Sequence, residues 1–163
     1  MGLTIVNFGC GAGGLASSDY INMDGSPLAL LARLPLPATF FRGKVHFVGQ
    51  LRASRVQYAT DRSLRLSPSS LDGFFTSHTL EHLNRPQCIA RLRRIQGFLK
   101  PSGRLRVLLP YLRRLATDYL SGGSADTFLF EIRLTVLRKW WIGGHTGHRW
   151  MYDEQSFKQL LVS

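Results

Sequence analysis

Acidic residues are scarce in this chain. Ten Asp and Glu stand against twenty-one Lys and Arg, a formal net charge of +11, and only four of those cations are lysines. Such a surplus favours anionic partners: nucleic acid, phosphorylated small molecules or acidic lipid head groups. A solvated basic surface accounts for it equally well. Cysteine is also rare. Cys10 and Cys88 have no C-x-x-C spacing, which leaves no redox or cysteine zinc motif, and a reducing cytoplasm is the expected compartment. No apolar run approaches the roughly 18 residues of a membrane helix. The start MGLTIVNFG lacks the charged segment and cleavage site of a signal peptide, and Val6 stands where N-myristoylation needs Ser or Thr.

What remains is a chain of 163 residues, 44% hydrophobic, enough for one compact α/β domain spanning residues 1–163. Leu3 to Phe8 is apolar, β-branched and followed at once by Gly9, the pattern of a short buried strand ending in a turn. A second strand ends at Ile21–Met23, before Asp24-Gly25. The run SPLALLARLP then predicts a short helix with Ser26 as N-cap and Pro27 at its first position. Residues 38–54 mix aromatic and basic side chains without clean periodicity and read as an excursion over one edge. VQYA, residues 56–59, is a third strand and LDGFFT, residues 71–76, a fourth. The three-to-four spacing of Cys88, Ile89, Leu92, Ile95 and Leu99 marks a helix closed by Pro101-Ser102-Gly103. A fifth strand follows at 104–109, then helices at 111–120, 125–141 and after Asp153. Strands alternating with helices imply a three-layer, Rossmann-like sandwich: a mostly parallel sheet of about five strands with helices on both faces.

Ligands of such sheets sit at the carboxyl ends of strands, and the chemistry-bearing residues fall there. Gly9-Cys10-Gly11-Ala12-Gly13-Gly14 satisfies G-x-G-x-x-G directly after the first strand. Asp24 closes the second strand, where a carboxylate can accept two hydrogen bonds from ribose hydroxyls; the plainer alternative is a turn aspartate before Gly25. Gly13 and Gly14 read as flexible loop. The link from Gly11 to Ile21 is too short for a full helix, which argues against a pyrophosphate on a helix N-terminus and so against NAD. His78-Thr79-Leu80-Glu81-His82 is a literal H-x-x-E-H, a spacing that can place two histidines around zinc with a glutamate as base.

VNFGCG, INMDGSP, LSPSSLDGFFTSHTLEHL and LKPSGRLRVLLP together resemble a class I S-adenosylmethionine-dependent methyltransferase of the methyltransferase-11-like group. The short link from GCG to I-N-x-D-x-S and the late GHRWMYDEQSFKQLL resemble uncharacterised bacterial members. The resemblance covers nearly the whole chain and implies S-adenosyl-L-methionine as cofactor and the strand order 3-2-1-4-5. It implies cofactor contacts at Gly9, Cys10, Gly11, Asp24, Gly25, Asp61, Ser77 and His78: Gly9 and Gly11 against the methionine part, Asp24 on the ribose, Asp61 near the adenine, Ser77 and His78 at the reaction centre. It also puts a strand-to-helix junction at SHTLEHL, so His78 belongs to a loop while Glu81 and His82 begin a helix. H-x-x-E-H peptidases are, besides, much larger chains. No residue is therefore assigned to a metal, and His82 is expected to pack or cap.

An acceptor that carries a proton needs a base, and His78, His145 and His148 are the imidazoles placed to serve; ordinary loop hydrogen bonding remains open for each. Trp140, Trp141 and Trp150 are candidate pocket walls, and Arg149 a candidate for an acidic acceptor. The common fold continues into two more strands where this chain stops, which exposes the fifth strand as an edge that a homodimer could cover. The expected function is methyl transfer to a small, anionic or phosphorylated acceptor. A catalytically weak cofactor-binding or interaction module ranks second, and a basic nucleic-acid-binding protein third.

Overall fold

The computed structural model describes residues 2–15, 17–35, 37, 40, 43–60, 63–132 and 147–162. Strands β1 (Ile5–Phe8), β2 (Tyr20–Asp24), β3 (Gln57–Tyr58), β4 (Leu71–Ser77) and β5 (Leu99–Leu108) form one sheet in the order β3-β2-β1-β4-β5. β1 pairs in parallel with β2 and β4, and β2 in parallel with β3. The fold is the expected Rossmann-like α/β sandwich, with β5 at the sheet's end. The helices are α1 (Pro27–Leu31), α2 (Val45–Ala53), α3 (Arg85–Phe98), α4 (Leu112–Leu120), α5 (Ala125–Glu131) and α6 (Glu154–Leu161). No helix among the described residues is long and apolar enough to cross a membrane.

The chain divides into two compact units. The first comprises Met1–Ser77 with Arg94–Val107, the second His78–Arg93 with Leu108–Ser163.

In the first unit the alternation of side chains along β1 and β2 sorts them between two faces. Val6, Phe8 and Met23 point to one side, where they pack with Phe74 and with Ile95 of α3. Asn7 and Asn22 point to the other, where a second cluster joins Ala29 and Ala32 to Val48 and Leu51 of α2 and to Val56. Ser26 caps α1 as expected, its hydroxyl accepting from Ala29 N at 3.2 Å, with Pro27 next.

The crossover from β1 to β2 has no helix among its described residues, and Asn22 takes the place of one. Its Oδ1 accepts from Asn7 Nδ2 at 3.0 Å and from Leu15 N at 2.9 Å. Its Nδ2 donates to Leu15 O at 2.7 Å and to Ser54 O at 3.0 Å. A side chain only 4% exposed thus ties the crossover, β1 and the end of α2 together. Gly14 belongs to the same packing and is no mere flexible link: a Cβ there would lie 2.6 Å from Ser54 Cβ.

Three expected boundaries move. Residues 45–53 form α2 within what read as an excursion, because Val48 and Leu51 supply one buried turn of spacing that basic neighbours obscure. β5 begins at Leu99, five residues before its expected start, and takes in Lys100-Pro101-Ser102-Gly103. A terminal strand tolerates proline, and a Cβ on Gly103 would lie 2.8 Å from Leu71 O, so the close backbone approach needs glycine. Finally, α3 starts at Arg85 and not at Glu81. Leu80–His82 is a separate 3-10 turn, and Asn84 opens a new helix by accepting from Gln87 N at 2.9 Å while Gln87 accepts from Asn84 N at 3.1 Å.

In the second unit Asp153 and Ser156 form a reciprocal capping box for α6, as the last predicted helix requires. Helix α5 ends at Glu131, and Leu134, Leu137, Trp140 and Trp141, expected to continue it, lie outside the described residues.

Candidate functional site

The turn after β1 is built from its glycines. Gly9 and Gly11 have φ of 73° and 53°, the left-handed region that glycine enters without strain. Gly9 N and Cys10 N both donate to Met23 O, at 2.8 and 3.3 Å, which binds the turn to the end of β2. Asp24, 8% exposed, then closes the arrangement. Its Oδ2 accepts from Gly11 N and its Oδ1 from Ser26 N, each at 2.8 Å. One carboxylate therefore couples the glycine turn, the end of β2 and the N-cap of α1. A Cβ built on Gly11 would meet nothing within 4 Å, so there is open space on that side of the turn. Gly25 has a different reason to be glycine: a Cβ there would stand 3.1 Å from Ala59 O.

Cys10 sits among these groups with its thiol pushed up to about 12, chiefly by burial and then by the charge of Asp24. Its thiolate is correspondingly rare at neutral pH. Alkylation of Cys10 by iodoacetamide at pH 8, followed by peptide mass spectrometry, should be about a thousandfold slower than for an ordinary cysteine. Asp24→Asn should speed it, since one of the two causes is removed while burial stays. Modification of Cys10 at the ordinary rate would show that the turn is open to water.

At the other strand end, Ser77 closes β4, where the register Phe8↔Thr76 sets it level with Gly9. His78 follows with φ of 50°, a left-handed conformation that few residues with a Cβ adopt. Its N–H donates to Leu108 O at 3.1 Å, and its side chain is 68% exposed. The H-x-x-E-H therefore does not lie on one helix: His78 is in a loop, and Glu81 and His82 are in the 3-10 turn. Glu81 is 1% exposed, and burial drives its carboxyl upward, against the smaller opposing pulls of its own backbone N–H, His82 and His78. His78 Nδ1 stands 3.4 Å from Glu81 Oε1.

The late segment reaches the same place. Glu81 O accepts from Arg149 N at 2.7 Å and from Trp150 N at 3.2 Å, and this sets the ring of His148 edge-on to that of His82, with centroids 5.4 Å apart. His148 Nδ1 also lies 3.1 Å from Met151 Sδ. His78, Glu81, His82 and His148 line a pocket of about 710 Å³ together with Tyr111 and Arg114. The side chain of Trp150 is not part of that lining and is 45% exposed.

Of the residues anticipated from sequence, the structure brings Gly9, Cys10, Gly11 and Asp24 into one turn, and His78 and His148 into one pocket. Asp61 and His145 lie outside the described residues. Sequence reasoning missed Asn7 and Asn22 as a buried pair and Glu81 as a buried carboxylate. For the asparagines a signal existed: a polar residue in the middle of a strand covered on both faces.

No protein-family model matches the chain, and no curated protein does. Solved structures do share its fold. A complex of the Trm112 methyltransferase activator with a candidate methyltransferase from Haloferax volcanii aligns at a TM-score of 0.54 with 14% identity, over 99% of this chain and 60% of that one. An S-adenosylmethionine-dependent methyltransferase from Mesorhizobium loti aligns at 0.53 with 17% identity, over 99% of this chain and 72% of that one. Another, from Archaeoglobus fulgidus, aligns at 0.51 with 17% identity, over 99% of this chain and 59% of that one. At such identities the likeness establishes a fold shared with these methyltransferases, and the chain spans about 60% of the first structure's length.

Proposed function

We propose that the chain binds S-adenosyl-L-methionine at the turn after β1 and transfers its methyl group to a small anionic or phosphorylated acceptor. One observation carries the reading: Asp24 holds the glycine turn while each of its oxygens accepts only one hydrogen bond among the described residues. A carboxylate has about four acceptor sites, so two remain for a ribose diol. The space beside Gly11 supports the same reading, because a ligand can approach the backbone there. The fold shared with known methyltransferases supports the choice of cofactor.

When bound, the cofactor supplies an electrophilic methyl group on a sulfonium. Gly9 and Gly11 would let the methionine part lie against backbone, Asp24 would hold the ribose, and Gly25 would support that contact by packing against Ala59. Methyl transfer is an in-line displacement, so placing the acceptor is the chain's main contribution. His78 and His148, which share a pocket, would orient the acceptor and take a proton from it where it carries one. Arg114 in the same lining is paired with Asp118 at 3.6 Å, so the support for an anionic acceptor is the net charge of +11.

Calorimetric titration with S-adenosylmethionine, S-adenosylhomocysteine and NAD tests the proposal. Micromolar one-to-one binding of the first two and none of NAD is the expected result. Failure to bind either sulfur compound would overturn it.

A further inference from the structure

We propose that Glu81, His82 and His148 form a binding site for one zinc ion. Their ligand atoms all lie within 4.8 Å of one another. Two imidazoles and one carboxylate make a donor set suited to zinc, with a fourth position left for water or another ligand. A tetrahedral ion about 2.1 Å from each donor needs them about 3.4 Å apart. Side-chain rotations of roughly an ångström close that difference.

Glu81 supplies an independent observation. It is 1% exposed, and neither of its carboxylate oxygens accepts a hydrogen bond of good geometry among the described residues; its own backbone N–H and the His78 ring, 3.4 Å from Oε1, give only partial relief. A carboxylate removed from water with so few donors is strongly disfavoured in its charged form, and it is relieved either by holding a proton or by a cation beside it. The imidazole of His78, 3.4 Å away, is itself largely exposed and carries charge only when protonated. A divalent ion between Glu81 and the two histidines satisfies the carboxylate directly.

The chain is arranged to assemble these donors. The 3-10 turn makes Glu81 and His82 neighbours, and the two hydrogen bonds from Arg149 N and Trp150 N to Glu81 O fix the segment that carries His148. All three side chains line the pocket of about 710 Å³, which gives an ion a way in. The roles differ from those of the H-x-x-E-H spacing. There His78 and His82 would be ligands and Glu81 a base; here Glu81 is a ligand, His78 stands outside the set, and the third donor arrives from far along the chain. The site does not depend on cofactor binding, but the two readings share His148: with zinc bound His148 is a ligand, and His78 alone is left to take a proton from the acceptor.

The test uses the full chain, stripped with a chelator, dialysed and titrated with zinc sulfate by calorimetry. Cobalt(II) substitution, read as visible absorption, then reports the coordination. We expect one equivalent of zinc and the intense bands of four-coordinate cobalt. His148→Ala and His82→Ala should each weaken zinc binding by at least about a hundredfold, since even outer partners of ligands are worth ten- to a hundredfold. His46→Ala, at an exposed position of α2, should bind as the parent does. Circular dichroism checks each fold, and His148→Ala provides a second variant if His82→Ala unfolds. Substoichiometric zinc in the parent, parent-like affinity in His148→Ala, or equal loss in His46→Ala would each overturn the proposal.

Discussion

Asn22→Ala is expected to destabilise the protein by about 3–5 kcal/mol, less than the full sum of four modest hydrogen bonds and one buried donor left without its acceptor, because water can replace part of them. The amide of Asn22 uses both its oxygen and its nitrogen twice, toward Asn7, Leu15 and Ser54. Leu15 and Ser54 lie close enough to the surface for water to replace part of what they lose. Asn7 does not: it is 3% exposed, so its Nδ2 stays buried without that acceptor. A domain of this size is stable by only about 5–15 kcal/mol, so the loss is a large fraction of the total. Urea denaturation measures it. The double variant Asn7→Ala, Asn22→Ala should lose less than the sum of the two single changes, because the orphaned donor disappears with its partner. A loss under about 1 kcal/mol for Asn22→Ala would mean that the crossover is held by other contacts.

Asp24→Ala should weaken S-adenosylmethionine binding by about 1.5–3 kcal/mol, the range for hydrogen bonds to a charged group, or roughly 10- to 150-fold. The geometry adds that the same carboxylate holds Gly11 N and Ser26 N, so part of the loss comes from a slackened turn. Asp24→Asn separates the contributions. Its amide keeps one acceptor for the backbone but gives up the charge and the second oxygen, which predicts an affinity between those of the parent and Asp24→Ala. Calorimetry gives the affinities and thermal unfolding confirms that each variant is folded. Unchanged affinity in a folded Asp24→Ala would remove Asp24 from the cofactor's surroundings and leave it only the role of tying the turn.

Local pattern was a sufficient guide wherever an element answers to its own residues. Ser26-Pro27 opens α1, Asp153 opens α6, and Gly9 and Gly11 sit where the backbone turns left-handed. In each case a hydrogen bond or a dihedral angle within a few residues decides the outcome. Helix α2 escaped because its apolar residues, Phe47, Val48 and Leu51 among them, are interrupted by His46, Gly49, Gln50 and Arg52 in a short segment; burial against Ala29 and Ala32 makes it a helix. Likewise, Pro101 and Gly103 looked like a stop but lie in β5, because a terminal strand pairs on one side only and tolerates a residue without an N–H on its outer edge.

By itself, then, the sequence determined the order of the strands and of the helices other than α2, the glycine turn and the acid that follows it, since periodicity, caps and turn chemistry are local. It could not determine which distant polar groups would meet. Asn7 reaches Asn22, Asn22 reaches Ser54, and His148 comes beside His82 only after the chain has folded. Those pairings depend on strand register and on backbone hydrogen bonds between segments far apart in sequence, such as the two that Glu81 O accepts from Arg149 and Trp150. The H-x-x-E-H is the clearest case. Its spacing alone allows one helical face, and the family resemblance already put His78 in a loop, as its positive φ bears out; the separate 3-10 turn and the set of donors around Glu81 came only with the tertiary structure.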